Sequence, residues 1–278
     1  MNHSSSSDIS HTLFNDILLI RESRPLIHNI TNFVVMNTTA NALLAIGASP
    51  IMAHASQELA ELISISNALV LNIGTLDEHW IKNMFIAAHL AIEKNKPIVL
   101  DPVGAGASAL RTQTALDLLT TTHITVLSGN ASEIMALDKQ SALSKGVDSS
   151  EKSERAMSAA KNISNTFGCV VVISGATDYC VLKNSMLSVH NGSLIMSRVT
   201  GMGCIATAIT GAFLAINSNP LIASFHAMVC MGICGEIAAA ESKGPGTFLP
   251  QFLDALFCID LKTISEKINI VSGDTIYA

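Results

Sequence analysis

The chain has 278 residues, of which 49% are hydrophobic and 14% are charged, and its formal net charge is −6. A chain of this length forms one large domain or two small ones, and its few aromatic residues (4%) predict an aliphatic core. The acidic balance argues against a nucleic-acid-binding surface, which needs clustered lysine and arginine. It leaves small phosphorylated ligands open, because helix N-termini and metal ions also hold phosphate.

The beginning of the chain and the cysteines indicate a cytoplasmic protein. The first residues are polar and rich in serine, without a basic segment that leads into an apolar one. Residues 1–12 are therefore predicted to be a disordered tail, and residues 13–278 one domain. The six cysteines form no CxxC pair and no zinc-like spacing, which favours reduced thiols.

Short apolar runs alternate with helical patterns along most of the chain. We predict strands at residues 25–28, within 48–52, and at 68–73, 98–100, 124–127 and 169–173, with helices at 33–46, 57–65, 79–94 and 155–167. A hairpin over residues 179–190 precedes a final group of helices. No linker or repeat divides the chain, so the alternation predicts a single α/β domain with a largely parallel central sheet.

One late segment is long and apolar enough to cross a membrane. Residues 221–240 fit the length of a span. They include His226 and Glu236, however, and no basic flank follows the positive-inside pattern. A buried core helix is the better interpretation, and we expect no membrane partner.

Small polar side chains are unusually dense after the first predicted strand. Asn32 is expected to cap the helix at 33–46, and Gly47 to end it. The asparagines and threonines between residues 29 and 41 either cap and turn the chain or hydrogen-bond a small heteroaromatic ligand. Met52 is either a pocket wall or ordinary core.

Two carboxylates follow neighbouring predicted strands. Asp101 comes directly after the strand at 98–100 and opens a glycine-rich segment, and open α/β sheets bind ligands at the carboxyl ends of their strands. Glu133 follows Asn130 at the spacing of a capping box. Asp101 could instead cap the next turn, and Glu133 could serve only its helix. Together the two carboxylates could share a Mg²⁺ ion through water.

A glycine turn stands before an apolar run over residues 205–216, which we predict to be a buried helix. Gly201 and Gly203 would place unpaired N–H groups at its start, where anions bind, and the helix dipole there would favour a thiolate at Cys204. The turn lacks the lysine of a P-loop and the third glycine of a dinucleotide fingerprint. Taken alone, it is either a tight turn before a core helix or a phosphate-handling turn with a reactive group.

Five segments, in this order and spacing, resemble the hydroxyethylthiazole kinase family, which has a ribokinase-like fold. They are residues 28–32, 47–52, 101–107, 129–133 and 199–204. The resemblance implies a three-layer α/β/α domain. It also implies transfer of the γ-phosphoryl group of ATP, with Mg²⁺, to the primary alcohol of 4-methyl-5-(2-hydroxyethyl)thiazole in thiamine salvage. The resemblance further implies a homotrimer with the thiazole pocket between subunits.

The resemblance also implies a role for individual residues. Cys204 stands where ribokinase relatives usually carry an aspartate that takes the alcohol proton, and it acts either as a base or by positioning the hydroxyl. The other implied site residues are Gly201 and Gly203 at the anion hole, Met52, Asn29 and Gly201 around the thiazole, Ser128, Asn130 and Ser174 around ATP, and Asp101 and Glu133 around Mg²⁺.

One position departs from the pattern of the family. The residue before Gly129 is commonly basic and contacts the phosphates of ATP, but here it is Ser128, which brings no charge. Arg111, after the glycine-rich segment, or Lys243 could replace that charge. The departure bears on ATP affinity more than on the type of reaction.

Three other functions remain open. A pyrimidine kinase of the same pathway would recognise a different ring, and the segments at 28–32 and 47–52 favour thiazole. A non-catalytic binding homologue is disfavoured by the presence of Asp101, Glu133 and Cys204 together. A cysteine hydrolase would need a histidine in a recognisable partner motif, and the sequence shows none.

Overall fold

The structure is a computed structural model that describes residues 6–138 and 149–272. Within these residues the strands are β1 (Leu26–Ile30), β2 (Ser49–Met52), β3 (Ala68–Asn72), β4 (Ile98–Asp101), β5 (Val126–Asn130), β6 (Val170–Ser174), β7 (Asp178–Leu182), β8 (Ser185–Val189) and β9 (Ile270–Ser272). They form one sheet in the order β2-β1-β3-β4-β5-β6-β7-β8-β9. Pairing is parallel from β2 to β6 and antiparallel from β6 to β9.

Helices cover both faces of the sheet. They are α1 (Ser6–Ser23), α2 (Met36–Ile46), α3 (Leu59–Ile65), α4 (Glu78–Glu93), α5 (Ala109–Thr121), α6 (Ala131–Leu137), α7 (Ser149–Phe167), α8 (Met202–Leu214), α9 (Pro220–Glu241), α10 (Pro245–Cys258) and α11 (Leu261–Lys267), with a short 3-10 helix at Leu194–Arg198. One core cluster joins the sheet to α1, α2 and α8–α11, and the other joins it to α3–α7. The predicted three-layer single domain is confirmed for the described residues.

The two faces of β6 show how one strand serves both cores. Val170 and Val172 belong to the cluster that contains α8 and α9, whereas Val171 and Ile173 belong to the other. Successive side chains of a strand point to opposite faces, so a strand that is covered on both faces is apolar throughout. This is why the central strands were visible as continuous apolar runs.

The prediction of a disordered tail over residues 1–12 is wrong from residue 6 onward. Helix α1 begins at Ser6, and Ile9 and Leu13 are fully buried at a spacing of one helical turn. Asp16 of α1 lies 2.7 Å from Nδ1 of the buried His226 of α9. Helix α1 forms because its apolar side chains pack on the core. Residues 1–5 of the predicted tail, and residues 139–148 and 273–278 of the predicted domain, lie outside the described residues.

Two helix starts also differ from expectation. Helix α2 begins at Met36 without a side-chain cap, so Asn32 is not its N-cap. Gly47 does end this helix, with a φ of 107° that residues with a side chain rarely adopt. Helix α8 begins at Met202, directly at the glycine turn, rather than at residue 205.

Helix α9 is the buried core helix that the sequence predicts. It is the one described helix that is long and apolar enough to span a membrane, and 89% of its most apolar window is buried inside the fold. Its residues pack against α8, α10 and the sheet. The apolar composition of α9 is therefore explained by the core.

Candidate active site

The carboxyl ends of three parallel strands and the start of α8 lie around one cavity of about 150 Å³, here called the small cavity. Its lining residues are Asp101, Val103, Ser128, Gly129, Asn130, Glu133, Ser174, Gly201, Gly203, Cys204 and Ala206. Asp101, Asn130 and Ser174 are the last residues of β4, β5 and β6. The fold thus brings together every residue that was predicted for catalysis, ATP or Mg²⁺.

Asp101 is a buried carboxylate, with 4% of its surface exposed. Its Oδ2 accepts hydrogen bonds from Nδ2 of Asn72, at 2.7 Å, and from Oγ1 of Thr207, at 3.1 Å. Burial, followed by the negative charge of Glu133, raises the pKa of Asp101 to about 7, whereas hydrogen bonds from Thr207, Cys204 and Asn72 act in the opposite direction. A cation in the small cavity would therefore stabilise the ionised form.

Glu133 joins two loops beside the small cavity. Its Oε2 accepts from the backbone N–H of Asn130 at 2.9 Å, and Oδ1 of Asn130 accepts from the N–H of Glu133 at 3.0 Å. This is the capping box that the sequence predicts at the start of α6. The other oxygen, Oε1, accepts from the N–H of Gly104 at 2.8 Å, so Glu133 also holds the glycine-rich loop after β4.

The two carboxylates fit a Mg²⁺ ion that is bound mainly through a substrate. In residues 6–138 and 149–272, no group of three or more His, Cys, Asp or Glu side chains could hold a metal ion alone. Mg²⁺ commonly takes one or two carboxylates, keeps several waters and binds substrate phosphates. Asp101 and Glu133 would supply the two carboxylates of such a site. Asp101 is buried and has no cationic partner among these residues, so its negative charge is available to a metal ion.

Cys204 lies in the first turn of α8, as predicted, but its surroundings favour the neutral thiol. Nδ2 of Asn32 lies 3.6 Å from its Sγ. Burial, together with the carboxylate of Asp101, raises the pKa of Cys204 to about 12. The expected lowering of this pKa is wrong, because desolvation and a neighbouring negative charge outweigh the helix dipole.

The glycine turn sets the direction from which α8 enters the site. Gly201 has a φ of 88°, and a Cβ there would lie 2.8 Å from Cγ1 of Val35. Only a residue without a side chain allows this turn and this close approach to α2. The first N–H groups of α8 have no partner within the helix, and Gly201 and Gly203 line the small cavity.

A large cavity of about 640 Å³ adjoins the small one. Ser174, Gly201, Gly203 and Ala206 line both cavities. The walls of the large cavity include the apolar side chains of Met196, Val199, Met228 and Met231. Its volume is typical of ligand pockets, and these walls suit the flat apolar face of a nucleobase.

Met52 and Asn29 lie beside each other on β2 and β1, where they are direct partners in the parallel register. Asn29 is buried, its Nδ2 donates to the carbonyl of Ile27, and its Oδ1 has no hydrogen-bond partner among the described residues. Neither residue lines the small or the large cavity. The structure thus groups Met52 with Asn29, while Gly201 lies against α2.

Comparison with known proteins identifies the family. A family model described as the hydroxyethylthiazole kinase family matches residues 17–262. The chain belongs to the hydroxyethylthiazole kinase family. Among its relatives, the hydroxyethylthiazole kinase of Syntrophus aciditrophicus (strain SB) is 49% identical over 92% of this chain and 95% of that protein. That of Aliivibrio salmonicida (strain LFI1238) is 50% identical over 91% of this chain and 95% of the relative.

Solved structures agree with this assignment. The hydroxyethylthiazole kinase protein from Pyrococcus horikoshii OT3 has a TM-score of 0.88 and 43% identity, covering 95% of this chain and 100% of its own. The pyridoxal kinase from Staphylococcus aureus in complex with AMP-PCP has a TM-score of 0.60, covering 77% of this chain and 88% of its own. It is 16% identical and so shows the fold alone. The predicted ribokinase-like fold is confirmed.

Ser128 departs from the pattern of the hydroxyethylthiazole kinase family, and two basic residues, Arg111 and Lys243, were expected to compensate for it. Ser128 is buried in β5 and faces the small cavity. Arg111 donates from Nη1 to the carbonyl of Val103 and from Nη2 to the carbonyl of Gly74, at 2.9 and 2.8 Å. Among the described residues no carboxylate pairs with this guanidinium. The backbone N–H of Lys243 donates to Oγ1 of Thr247 at 2.9 Å, and Lys243 lines neither cavity.

Sequence reasoning missed two residues of the site and misassigned a third. Asn72 and Thr207 hold Asp101, and Asn32, expected as a cap, donates to Oδ1 of Asn72 at 2.7 Å and approaches Cys204. These contacts form a chain from Cys204 to Asp101. Asn72 could have been noticed as the polar residue near the end of an apolar run, but Thr207 carried no signal within its helix.

Proposed function

We propose that the chain transfers the γ-phosphoryl group of ATP to the primary hydroxyl of 4-methyl-5-(2-hydroxyethyl)thiazole, a reaction of thiamine salvage. The observation that carries this proposal is the N-terminus of α8 at the junction of the small and large cavities, beside Asp101 and Cys204. Membership of the hydroxyethylthiazole kinase family supports the substrate, and it does not favour the pyrimidine kinase or the binding homologue.

In this proposal ATP occupies both cavities. Its nucleoside lies in the large cavity, and its phosphates reach the small cavity past Ser174, which lines both. Asn130 and Ser128 line the phosphate end with polar groups. Asp101 and Glu133 would hold Mg²⁺ there. When bound, this ion would neutralise phosphate charge.

The glycine turn provides the electrostatic part of the reaction. The N–H groups at Gly201, Gly203 and the first turn of α8 face the place where negative charge develops on the transferred group. Phosphoryl transfer depends mainly on positioning and on such stabilisation, so a strong base is not required. The neutral thiol of Cys204 would then position the acceptor hydroxyl rather than remove its proton.

The acceptor would bind next to Met52, Asn29 and Gly201, in a pocket completed by a neighbouring subunit of a homotrimer. The half-buried edge strand β2, which carries Met52, supports this arrangement. So do Phe33 and Val34 in the loop after β1, whose side chains are 62% and 63% exposed. Large apolar side chains that are exposed together often mark a protein interface.

We also propose that Arg111 supplies the phosphate-neutralising charge that Ser128 lacks. Its guanidinium is held between the loops after β3 and β4, and the carbonyl it contacts at Val103 belongs to a residue that lines the small cavity. Guanidinium groups bind phosphate oxygens well because their donors form a planar fork.

A cytoplasmic location and a lack of nucleic-acid or membrane partners are part of the same proposal. All six cysteines are free thiols, as a reducing compartment requires. The apolar α9 is buried in the core, and the net charge of −6 disfavours nucleic acid.

The test is phosphate transfer from ATP with Mg²⁺, comparing the hydroxyethylthiazole with the hydroxymethylpyrimidine of the same pathway. We expect product from the thiazole. Product from the pyrimidine alone would replace the proposal with the pyrimidine kinase, and binding of the thiazole without turnover would replace it with a binding homologue. Asp101→Asn should abolish most turnover, and the exposed Asp254→Asn on α10 serves as its control because it removes the same charge elsewhere.

A further inference from the structure

The large cavity contains a carboxylate that has no role in the proposed reaction. Among the described residues that line this cavity, Asp178 is the only one with an ionisable side chain. The others are small, apolar or uncharged. Asp178 is the first residue of β7, and 9% of its surface is exposed.

The strand geometry directs this side chain towards α9. Asp178 and Cys180 are two residues apart on β7, so they share one face of the sheet. Cys180 packs in the core cluster that contains α9. Met228 and Met231, which line the large cavity, are residues of α9. The carboxylate of Asp178 therefore lies on the cavity side of β7.

The hydrogen bonds of Asp178 leave one oxygen for a ligand. Oδ1 accepts from the backbone N–H of Gly175 at 2.8 Å, and within residues 6–138 and 149–272 no other donor or cation pairs with the carboxylate. Burial accordingly raises its pKa to about 7. The protein does not enclose the other oxygen, and Asp178 lines the large cavity, so a donor on a ligand can reach this oxygen there.

We propose that Asp178 determines nucleotide specificity by accepting a hydrogen bond from the nucleoside of the phosphate donor. Asp178 lines the large cavity only, whereas Ser174 lines both, so Asp178 lies beyond the phosphate end. The donors that a nucleoside offers there are a ribose hydroxyl and the exocyclic amino group of adenine, and a carboxylate accepts from either. This inference rests on the proposed function, since it takes the large cavity to be the nucleoside site.

The experiment measures nucleotide binding by calorimetry, without the thiazole, for the wild-type chain and for Asp178→Asn. Asparagine keeps the acceptor for Gly175 and replaces the free oxygen with a donor. The nucleotides are ATP, 2′-deoxy-ATP, 3′-deoxy-ATP and the purine riboside triphosphate that lacks the amino group. Asp254→Asn again controls for the loss of one negative charge.

We expect Asp178→Asn to raise the Kd of ATP about tenfold or more, and Asp254→Asn to leave it unchanged. For at least one analogue, the Kd of Asp178→Asn divided by the Kd of the wild type should fall towards one. The group that this analogue lacks is then the donor to Asp178. An unchanged Kd for ATP would overturn the proposal, and so would an equal increase for all four nucleotides, which would indicate a purely structural role. Turnover of the thiazole by the wild-type chain decides the proposed function separately, because these binding measurements omit the acceptor.

Discussion

Cys204 lies in the first turn of α8, where Asn32 donates towards its Sγ and the carboxylate of Asp101 is a close neighbour. The resemblance to the family implies that ribokinase relatives usually carry an aspartate at this position. A thiol whose pKa is raised to about 12 stays protonated at neutral pH. The residue can hold a hydroxyl in place, but it has no free negative charge with which to accept a proton.

Substitution of Cys204 tests this positioning role. We expect Cys204→Ser to retain at least about a tenth of kcat, and to show the same pH profile as the wild type from about pH 6 to about pH 9, since neither side chain ionises there. Cys204→Ala, which removes the polar atom, should lose more. Steady-state kinetics across pH measures both. A wild-type kcat that rises with pH, beside a flat profile for Cys204→Ser, would instead identify a thiolate base.

Asp178 makes the stability of the fold depend on pH. Burial raises its pKa from 3.8 to about 7, so the folded state binds this proton more tightly than the unfolded state does. The corresponding stability is present in full below about pH 4, and it is lost as the pH rises through about 7.

Removing the titrating group should remove this dependence. From about pH 4 to about pH 8, Asp178→Asn should gain up to about 4 kcal/mol in free energy of unfolding relative to the wild type. Urea unfolding at both pH values measures the difference. An equal difference at the two pH values would show that Asp178 does not titrate between them.

At the scale of single elements, α8 depends on a turn with two glycines that serve different purposes. A Cβ at Gly201 would lie 2.8 Å from Val35 at a φ of 88°, whereas a Cβ at Gly203 would meet no atom within 4 Å. Gly201 is therefore needed for the fold of the turn. We expect the requirement for glycine at position 203 to come from the ligand, because this residue lines both cavities.

The pair Gly201→Ala and Gly203→Ala separates these requirements. Gly201→Ala should lower the free energy of unfolding by about 1–3 kcal/mol, through the strained φ and the contact with Val35. Gly203→Ala should keep or slightly raise stability and still lose activity, since its methyl group enters the space for the phosphate. Thermal unfolding and kcat/KM measure both effects. Full activity of Gly203→Ala would contradict the anion-hole assignment.

Arg111 connects two elements of the site, because its guanidinium bridges the carbonyls of Val103 and Gly74. We expect Arg111→Ala to raise the KM for ATP about tenfold or more and to leave the KM for the thiazole nearly unchanged. Arg111→Lys should recover part of the loss, because it keeps the charge without the planar fork. Equal increases in both KM values would contradict this role, because they would indicate that Arg111 only stabilises the loops after β3 and β4.

Large apolar side chains are exposed at several places among the described residues, and one of these places is the loop after β1, the strand that carries Asn29 of the predicted acceptor site. Phe33 and Val34 are more than half exposed, and β2 has no further strand beside it among the described residues. An interface there would cover these residues and enclose the acceptor. The opposite edge ends in β9, where Val271 is 59% exposed.

Sedimentation of the purified chain tests the proposed trimer. We expect a trimer that Val34→Asp weakens, with a raised KM for the thiazole and little change for ATP, because a charge in an apolar interface must be desolvated. Val271→Asp places the same charge on the far edge and should leave the trimer intact. A monomeric wild type that turns over the thiazole would show that one subunit contains a complete site.

The amino-acid sequence by itself determined the α/β alternation, the parallel central strands, the capping box at Asn130 and Glu133, and the buried α9. Each of these depends on residues close together in the chain, whose spacing decides which side chains face the core. The closeness of Asp101 and Glu133 was also predictable, because the carboxyl ends of parallel strands meet at one edge, whereas Ser128, Ser174 and the glycine turn were assigned to the same site through the resemblance to a family. The resemblance to a family added their roles, which the geometry leaves to experiment.

Only the tertiary structure decided the chemistry of these residues. The pKa of Cys204 depends on burial and on Asp101, which lies far away in the chain, and the sequence position suggested the opposite direction. The contacts of Asp101 with Asn72 and Thr207 join three elements. Helix α1 packs against α11 and α8, and its Asp16 contacts His226 of α9, so its partners lie late in the chain. Local patterns fix which elements form, whereas electrostatics and docking depend on distances that exist only after the chain has folded.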